Sequence, residues 1–471
     1  MNVIWTPQPK QKIFLSRPED EALYGGAAGG GKSEALVLEA LRQVEKPKYR
    51  GLILRKTYPE LSELLEKSEF YYPKIVPGAK YNDSKHLWTF PSGAKISFGS
   101  LQHTKDRLKY QGRSYSYIAF DELTHFTWEE YSYLISRNRS NGPGIRNYMR
   151  ATANPGGIGH GWVKDRFVSA ATPMTTIRER VSVRQPDGSE SFRDRTRIFV
   201  PASVFDNQKL LEANPNYIYD LASMPEAEKK ALLYGDWDSF TGQVFTTWRN
   251  DPEHYADRRG SHVIDPFRIE GYWKVIRCFD WGFNAPSALL WIAFDSVGRM
   301  YCIREYYAAE GPNIGAKMTV PELAAEIRRI ENEDENLRGR RIRGVADPAI
   351  WQQNGGPSIA EQFESCGVGW EKGDHSRIPG KMQIHQRLRF DEMGIPMLYV
   401  FSTCRNLIRT LPALVYSIKD VEDVDTTGED HLYDSLRYGA MEQVIAVQPE
   451  KILQPPGSDP LNLWKDRWKY Q

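Results

Sequence analysis

Between Tyr24 and Lys32 the chain contains only glycine and alanine, and directly behind them it turns into good helix formers, SEALVLEALRQV. Glycine loses more conformational freedom on folding than any other residue, so a cluster this dense implies backbone that must approach something closely. Gly26, Gly31, Lys32 and Ser33 satisfy G-x-x-x-x-G-K-[ST], here GAAGGGKS. The motif's context is a strand before and a helix after. EALY supplies the strand, and an apolar stripe at Val37, Leu41 and Val44, halted at Lys46-Pro47, supplies the helix. A phosphate loop set this way belongs to an open α/β sheet. The backbone N–H groups of Gly26, Ala27, Ala28, Gly29, Gly30 and Gly31 would face the phosphates of ATP. Lys32 would reach the β/γ oxygens and the Ser33 hydroxyl would bind Mg²⁺.

An ATP-hydrolysing site also needs a metal-shell acid and a group that orients water. The run YSYIAFDE (115–122) reads as a buried strand ending in Asp121 and Glu122, and a carboxylate at a strand's carboxyl end lies at the ligand crevice of such a sheet. We assign Asp121 to the metal shell and Glu122 to water activation. GLILRK is a further strand between the loop and this run, and NYMRATANP ends at Thr152-Ala153-Asn154-Pro155, where a sensor of the ATP state would sit.

A chain of 471 residues exceeds one ordinary core, so two domains are expected. A net charge of +1 argues against a basic coat protein, although a local basic strip is all that DNA binding requires. No long apolar run or signal-like start is present, so a membrane-spanning or secreted protein is not expected. Cysteines 278, 302, 366 and 404 are too scattered for a metal or redox motif and read as thiols in a reducing cytoplasm.

The pattern changes after DWDSFTGQVF, placing a boundary between 240 and 268. YWKVIRCFDWG is a strand ending at Asp280, and SALLWIAFDSVGRMYCIREYY is a hairpin turning at Asp295–Gly298. A helix, VPELAAEIRRIENE, then precedes the strand IRGVADP, which ends at Asp347. GEDHLYDSLRYGAMEQV is helical by pattern and carries Asp430 and Asp434 on one face. Three antiparallel strands, a helix, a strand ending in Asp and a late helix bearing Asp follow the order of an RNase H-like mixed sheet. Taken singly, each aspartate reads equally as a turn cap, a loop starter or a solvated helix residue.

The series GGAAGGGKS, YIAFDE, TANP and LLYGDWD (232–238) resembles the large terminase subunit of tailed bacteriophages, motors that pump and cut viral DNA. In that family the pieces are the Walker A loop, the Walker B strand with its catalytic glutamate, the coupling motif and the exit from the ATPase domain. The resemblance implies an ASCE-type P-loop ATPase domain over 1–240, a linker over 241–267, an RNase H-like nuclease over 268–446, and a Pro-rich, basic-aromatic tail over 447–471. It also implies an adenine-reading glutamine, for which we take Gln8 with Gln11 open, and an arginine finger acting on a neighbouring subunit, Arg139 rather than Arg137.

The string H-x-x-D-x-x-R-Y at His431, Asp434, Arg437 and Tyr438 resembles the closing motif of terminase nucleases. On that resemblance Asp280, Asp347 and Asp434 hold two Mg²⁺ or Mn²⁺ ions for in-line phosphodiester cleavage, with Asp430 and His431 as helpers and Glu305 a further candidate. Arg377, Lys381, Arg387 and Arg389 read as DNA contacts, with Arg387 and Arg389 equally a solvated helix face. The partners implied are double-stranded DNA, a portal on a procapsid, a small terminase subunit and further copies in a ring, pentameric when working, in the host bacterial cytoplasm. The state in solution, monomer included, stays open. A cellular helicase-nuclease or repair ATPase is the alternative; it would carry helicase motifs that we do not find. A P-loop switch with structural carboxylates is a second rival.

Overall fold

The computed structural model describes residues 3–139, 142–240, 242–353, 355–417 and 420–445. The tail expected over 447–471 lies outside them. Two sheets organise the chain.

The first sheet takes nine strands: β1 (Glu21–Gly26), β2 (Arg50–Arg55), β3 (Lys80–Asn82), β4 (Leu87–Thr89), β5 (Lys95–Ser100), β6 (Tyr117–Phe120), β7 (Tyr148–Ala153), β8 (Ile177–Arg184) and β9 (Glu190–Ala202). Their spatial order is β3-β4-β5-β2-β6-β7-β1-β9-β8. From β5 to β9 neighbouring strands run parallel, while β3, β4 and β8 add antiparallel pairs at the edges. A parallel sheet must be covered on both faces. One face is packed by Ala22, Tyr24 and Ile53 with α1 (Pro9–Leu15), α2 (Lys32–Glu39) and α3 (Tyr58–Ile75). The other is packed by Leu23, Leu52 and Phe120 with α4 (Trp128–Ile135) and α5 (His160–Val163). The helix after the glycine loop does not show the one-sided stripe its sequence suggests. Ala35, Leu36, Val37 and Leu38 are all buried, because α2 is enclosed on several sides, and it tightens to a 3₁₀ turn at Ala40–Gln43. Helices α6 (Gln208–Ala213), α7 (Tyr217–Ala222) and α8 (Glu226–Leu232) complete this half.

The second sheet contains β10 (Val263–Ile264), β11 (Lys274–Asp280), β12 (Ser287–Phe294), β13 (Met300–Gly311), β14 (Ile314–Gly315), β15 (Arg343–Ala346), β16 (Glu371–Lys372) and β17 (Leu398–Phe401), in the order β10-β17-β13-β12-β11-β15-β16, with β14 paired to β13. β11, β12 and β13 are antiparallel and β15 joins β11 in parallel, which is the mixed sheet expected. Its helices are α9 (Val320–Glu333), α10 (Ile359–Ser365), α11 (Arg377–Arg387), α12 (Arg405–Thr410) and α13 (His431–Met441). α13 lies so close to the sheet that a Cβ at Gly439 would stand 2.4 Å from Ile292. The stretch read as linker is partly built into this half: Val244 and Phe245 join its core, and Val263–Ile264 pair with β17. Burying those apolar side chains is favourable by roughly 1.5–3 kcal/mol each, enough to hold the segment down.

Candidate functional site

The glycine loop is fixed by its neighbours. Ala27 N–H donates to Ala202 O (2.9 Å) and Ala28 N–H to Leu232 O (2.8 Å), so β9 and the end of α8 both hold it. Gly26, at φ 132°, stands where a Cβ would meet Ala202 O at 2.5 Å, and Gly31 takes the left-handed conformation at φ 71° that opens α2. Gly235, from LLYGDWD, packs under the loop at φ +70°; a Cβ there would lie 2.7 Å from Ala27 N. Asn207 Nδ2 donates to Gly29 O (2.7 Å).

Asp121 ends up beside this loop because β7 and β6 stand next to β1 in the order β6-β7-β1. Ser33 Oγ donates to Asp121 Oδ1 at 2.8 Å, Thr152 Oγ1 donates to the same oxygen at 2.5 Å, and Arg55 pairs with Oδ2. The carboxylate is fully buried. Glu122 sits at φ 56°, a left-handed conformation that costs a non-glycine residue on the order of 1 kcal/mol or more. The turn is held by Glu122 N–H donating to Thr152 Oγ1 (3.1 Å), and it aims the side chain at Asn154. Asn154 donates to Glu122 from its backbone N–H (3.0 Å) and its Nδ2 (2.9 Å). The Oδ1 of the same amide accepts from Lys32 Nζ at 2.8 Å, and Ala27 O accepts a second bond from that ammonium. Burial pulls the Lys32 pKa down, opposed by Glu122 and Asp121. Lysine, asparagine and glutamate thus form one relay.

Gln11 is committed to the loop, donating from Nε2 to Gly31 O (2.8 Å) and accepting from Gln8 N–H (2.7 Å). The Gln8 amide has, among the described residues, a 3.5 Å contact with Asn207 and is less committed than Gln11. Arg139 is exposed, its Nε donating to Ser114 Oγ (2.8 Å), while Arg137 lies over the Tyr133 ring. Both stand at the start of β6, where Asn138 pairs with Tyr115, the opposite end from Asp121 and Glu122. The strand's length, roughly 13 Å, separates either arginine from its own chain's loop.

In the second sheet Phe279 pairs with Ala346, so Asp280 and Asp347 leave adjacent strands side by side; Asp347 N–H donates to Phe279 O at 3.1 Å. α13 brings Asp430, His431 and Asp434 to the same edge, anchored by Ser435 Oγ donating to Ala288 O (2.8 Å). Among the described residues, no three of these groups stand close enough to hold one ion. The carboxylates are turned to cations instead. His431 Nδ1 is 2.9 Å from Asp280 Oδ2, Arg437 Nε donates to Asp434 Oδ1 (3.0 Å), and Arg377 lies 3.3 and 3.4 Å from its two oxygens. Burial, with the repulsion of Asp434 and Asp347, pushes the Asp280 carboxyl up to about 6, against the pull of His431. Burial and Asp434 push Asp430 up to about 7. Carboxylate oxygens are the donor type that a hard divalent cation takes, and in the observed arrangement they are paired with His431, Arg377 and Arg437.

Other readings change. Glu305 accepts from Asn406 N–H (2.8 Å) and Leu407 N–H (2.9 Å) and caps α12, away from the carboxylates. Lys381, read as a DNA contact, and Arg387, read as a DNA contact or a solvated helix face, both turn inward. Both are buried, Lys381 against Glu422 O and Arg387 against Gly298 O and Gln443 O. Arg389 is exposed. Sequence reasoning missed Arg55, although it closes β2 as Asp121 directly follows β6 alongside; the Leu54–Phe120 pairing of β2 and β6 makes them neighbours.

Residues 23–249 match the family model described as terminase large subunit, T4likevirus-type, N-terminal. No curated protein matches the chain. Among solved structures, the large terminase of a thermophilic bacteriophage in complex with ADP is 16% identical, with 92% of this chain and 98% of that chain covered and a TM-score of 0.37. The HK97 bacteriophage large terminase is 12% identical, covering 93% and 94%, with a TM-score of 0.45. The P22 large terminase nuclease domain is 17% identical, covering 43% and 92%, with a TM-score of 0.32. The matched segment, just under half of the chain, carries the glycine loop, Asp121, Glu122 and Asn154, and over it the chain is similar to the N-terminal part of terminase large subunits.

Proposed function

We propose that this chain is a DNA-packaging terminase large subunit. Its first half hydrolyses ATP to move double-stranded DNA into a procapsid, and its second half cuts that DNA with divalent metal. The observation that carries the reading is the Lys32–Asn154–Glu122 relay beside Ser33–Asp121, in a segment matching the terminase family. Lys32, desolvated and resting on Ala27 O and Asn154, is a charge partner for a γ-phosphate. When Lys32 turns to the phosphate, Asn154 loses that contact but keeps both bonds to Glu122, which hold the carboxylate in place to orient water. Ser33 and Asp121 are the proposed Mg²⁺ shell, and Gln8 the adenine reader.

In the second half we assign Asp280, Asp347 and Asp434 as ligands of two Mg²⁺ or Mn²⁺ ions, with Asp430 beside them. Such ions, when bound, would supply Lewis-acid charge and an activated water for phosphodiester cleavage. His431 holds Asp280 in place, its other nitrogen 2.9 Å from Asn313 Oδ1. The proposed partners are DNA, a portal, a small terminase subunit and, in a ring of about five copies, the chain itself, in the host cytoplasm. No helix among the described residues is long and apolar enough to cross a membrane.

Lys32→Ala should abolish ATP turnover and leave metal-dependent plasmid nicking intact, while Asp347→Asn should do the reverse. Loss of both activities in either well-folded variant would break the two-site reading.

We propose Arg139 as a finger for the neighbouring copy's ATP. Arg139→Ala subunits mixed with Glu122→Gln subunits should regain turnover on assembly, because some interfaces pair an intact Glu122 with an intact Arg139. Mixtures no more active than their parts would leave Arg139 a surface residue.

The acidic cluster also sets a pH dependence. Folded-state values of about 6 for Asp280 and about 7 for Asp430 lie above the ordinary 3.8, so the folded state holds these protons more tightly. Without metal, their contribution to stability therefore falls as pH rises from about 4 to 7. His160 and His262, kept neutral by burial, act oppositely below pH 6.5, so the metal-dependent difference is the clean readout. Mg²⁺ should raise the melting temperature over that in EDTA at pH 8, and this difference should shrink toward pH 6. A pH-independent shift, or one retained in Asp434→Asn, would contradict the cation site.

A further inference from the structure

At the edge of the second sheet opposite the carboxylates lies a groove of 820 Å³, between the starts of β11 and β15, the end of α9 and the loop before β16. Six cations line it, Lys274, Arg277, Arg328, Arg340, Arg341 and Arg343, against two acids, Glu331 and Glu371. The acids are spent: Glu331 pairs with Arg277, and Glu371 with Arg343 at 2.9 Å. Arg340 donates to the carbonyls of Glu270 (2.8 Å), Gly271 and Trp273 (both 3.0 Å), which rigidifies the segment leading into Lys274. Arg328 donates to Cys366 O (2.8 Å). Lys274 and Arg341 are exposed and, among the described residues, enter no ion pair. Four positive charges therefore face the groove without a carboxylate.

The floor is closely built. A Cβ at Gly344 would stand 2.6 Å from Gly369 O and 2.7 Å from the Trp370 ring, and the buried Arg277 guanidinium lies 4.3 Å over that indole. Low-dielectric walls around unmatched charge concentrate the field in the groove. The cations come from separate segments, the start of β11, the end of α9 and the turn into β15, with arginine prominent, which suits the phosphates of a polymer better than one small anion. Asp280 lies six residues along β11 from Lys274, roughly 20 Å at strand rise, or about six base pairs of duplex.

We propose that this groove is a second DNA-contact site, holding the phosphate backbone of duplex DNA apart from the carboxylates that cut it. The inference rests on the reading of the chain as a DNA-handling protein.

The test uses the full chain carrying Asp347→Asn, so that duplex is not cut, and measures binding of short duplex DNA by fluorescence anisotropy across a salt series. Adding Lys274→Gln with Arg341→Gln should weaken binding and reduce the slope of log K against log salt by about 1.8, as expected for two lost phosphate contacts. Lys274→Arg with Arg341→Lys should restore it. A control pair of exposed lysines, Lys85→Gln with Lys230→Gln, should alter the slope less. ATP turnover checks that each variant is folded. An unchanged slope in a parent that binds duplex, or an equal loss in the control pair, overturns the groove alone. A folded parent with no affinity for duplex overturns the DNA-handling reading with it.

Discussion

A buried carboxylate governs the first half of this molecule. Asp121 has no contact with solvent, and an ionised group taken out of water destabilises a fold strongly unless charge and hydrogen bonds replace its hydration. Its replacements come from three places: Ser33 at the start of α2, Thr152 at the end of β7, and Arg55 at the end of β2. These converge only if β7 separates β1 from β6 and β2 flanks β6, which is the order observed. Losing one partner of such a buried group typically costs about 3–5 kcal/mol, so strand order and phosphate-loop geometry are enforced together. Thr152 also fixes the backbone N–H of Glu122, and through that turn the glutamate meets Asn154 and Lys32.

The second half handles buried acid differently. Asp280, Asp430 and Asp434 crowd one sheet edge, and the cations that meet them are borrowed from side chains, His431 from α13 itself, Arg377 from α11 and Arg437 from the next turn. Compensation is incomplete, as the raised Asp280 and Asp430 carboxyls show. Burial is the larger cause of that rise, with the neighbouring carboxylates adding to it. Gly380 matters here, because a Cβ would stand 2.4 Å from Arg437 and hold α11, with Arg377, away from α13.

The parts legible from sequence were those where chemistry and local structure coincide. The glycine loop declares itself because only glycine tolerates Gly26 and Gly31 as they stand, and the strands that run into Asp121, Asp280 and Asp347 follow from apolar runs stopped by an acid. What was not legible depended on direction. Lys381 and Arg387 look like surface cations in sequence, yet each is buried on backbone carbonyls that lie far away along the chain. Glu305 alternates correctly on β13 but serves the N-terminus of α12. The bifunctional Asn154 amide, and Arg55 against Asp121, need the lateral order of strands, which no local pattern encodes. The β8–β9 hairpin, mostly exposed and polar, carries little hydrophobic pattern to read.

The central claim is that hydrolysis at the Lys32–Asn154–Glu122 relay moves duplex DNA. Its most direct test is ATP-dependent uptake of linear double-stranded DNA into purified, portal-bearing procapsids of a tailed bacteriophage, read as DNA protected from added nuclease. Wild-type protein should protect DNA only when ATP is supplied, and Glu122→Gln should bind ATP and protect none. Brisk ATP hydrolysis by wild-type protein with no DNA protected, in procapsids carrying portal, would contradict the account.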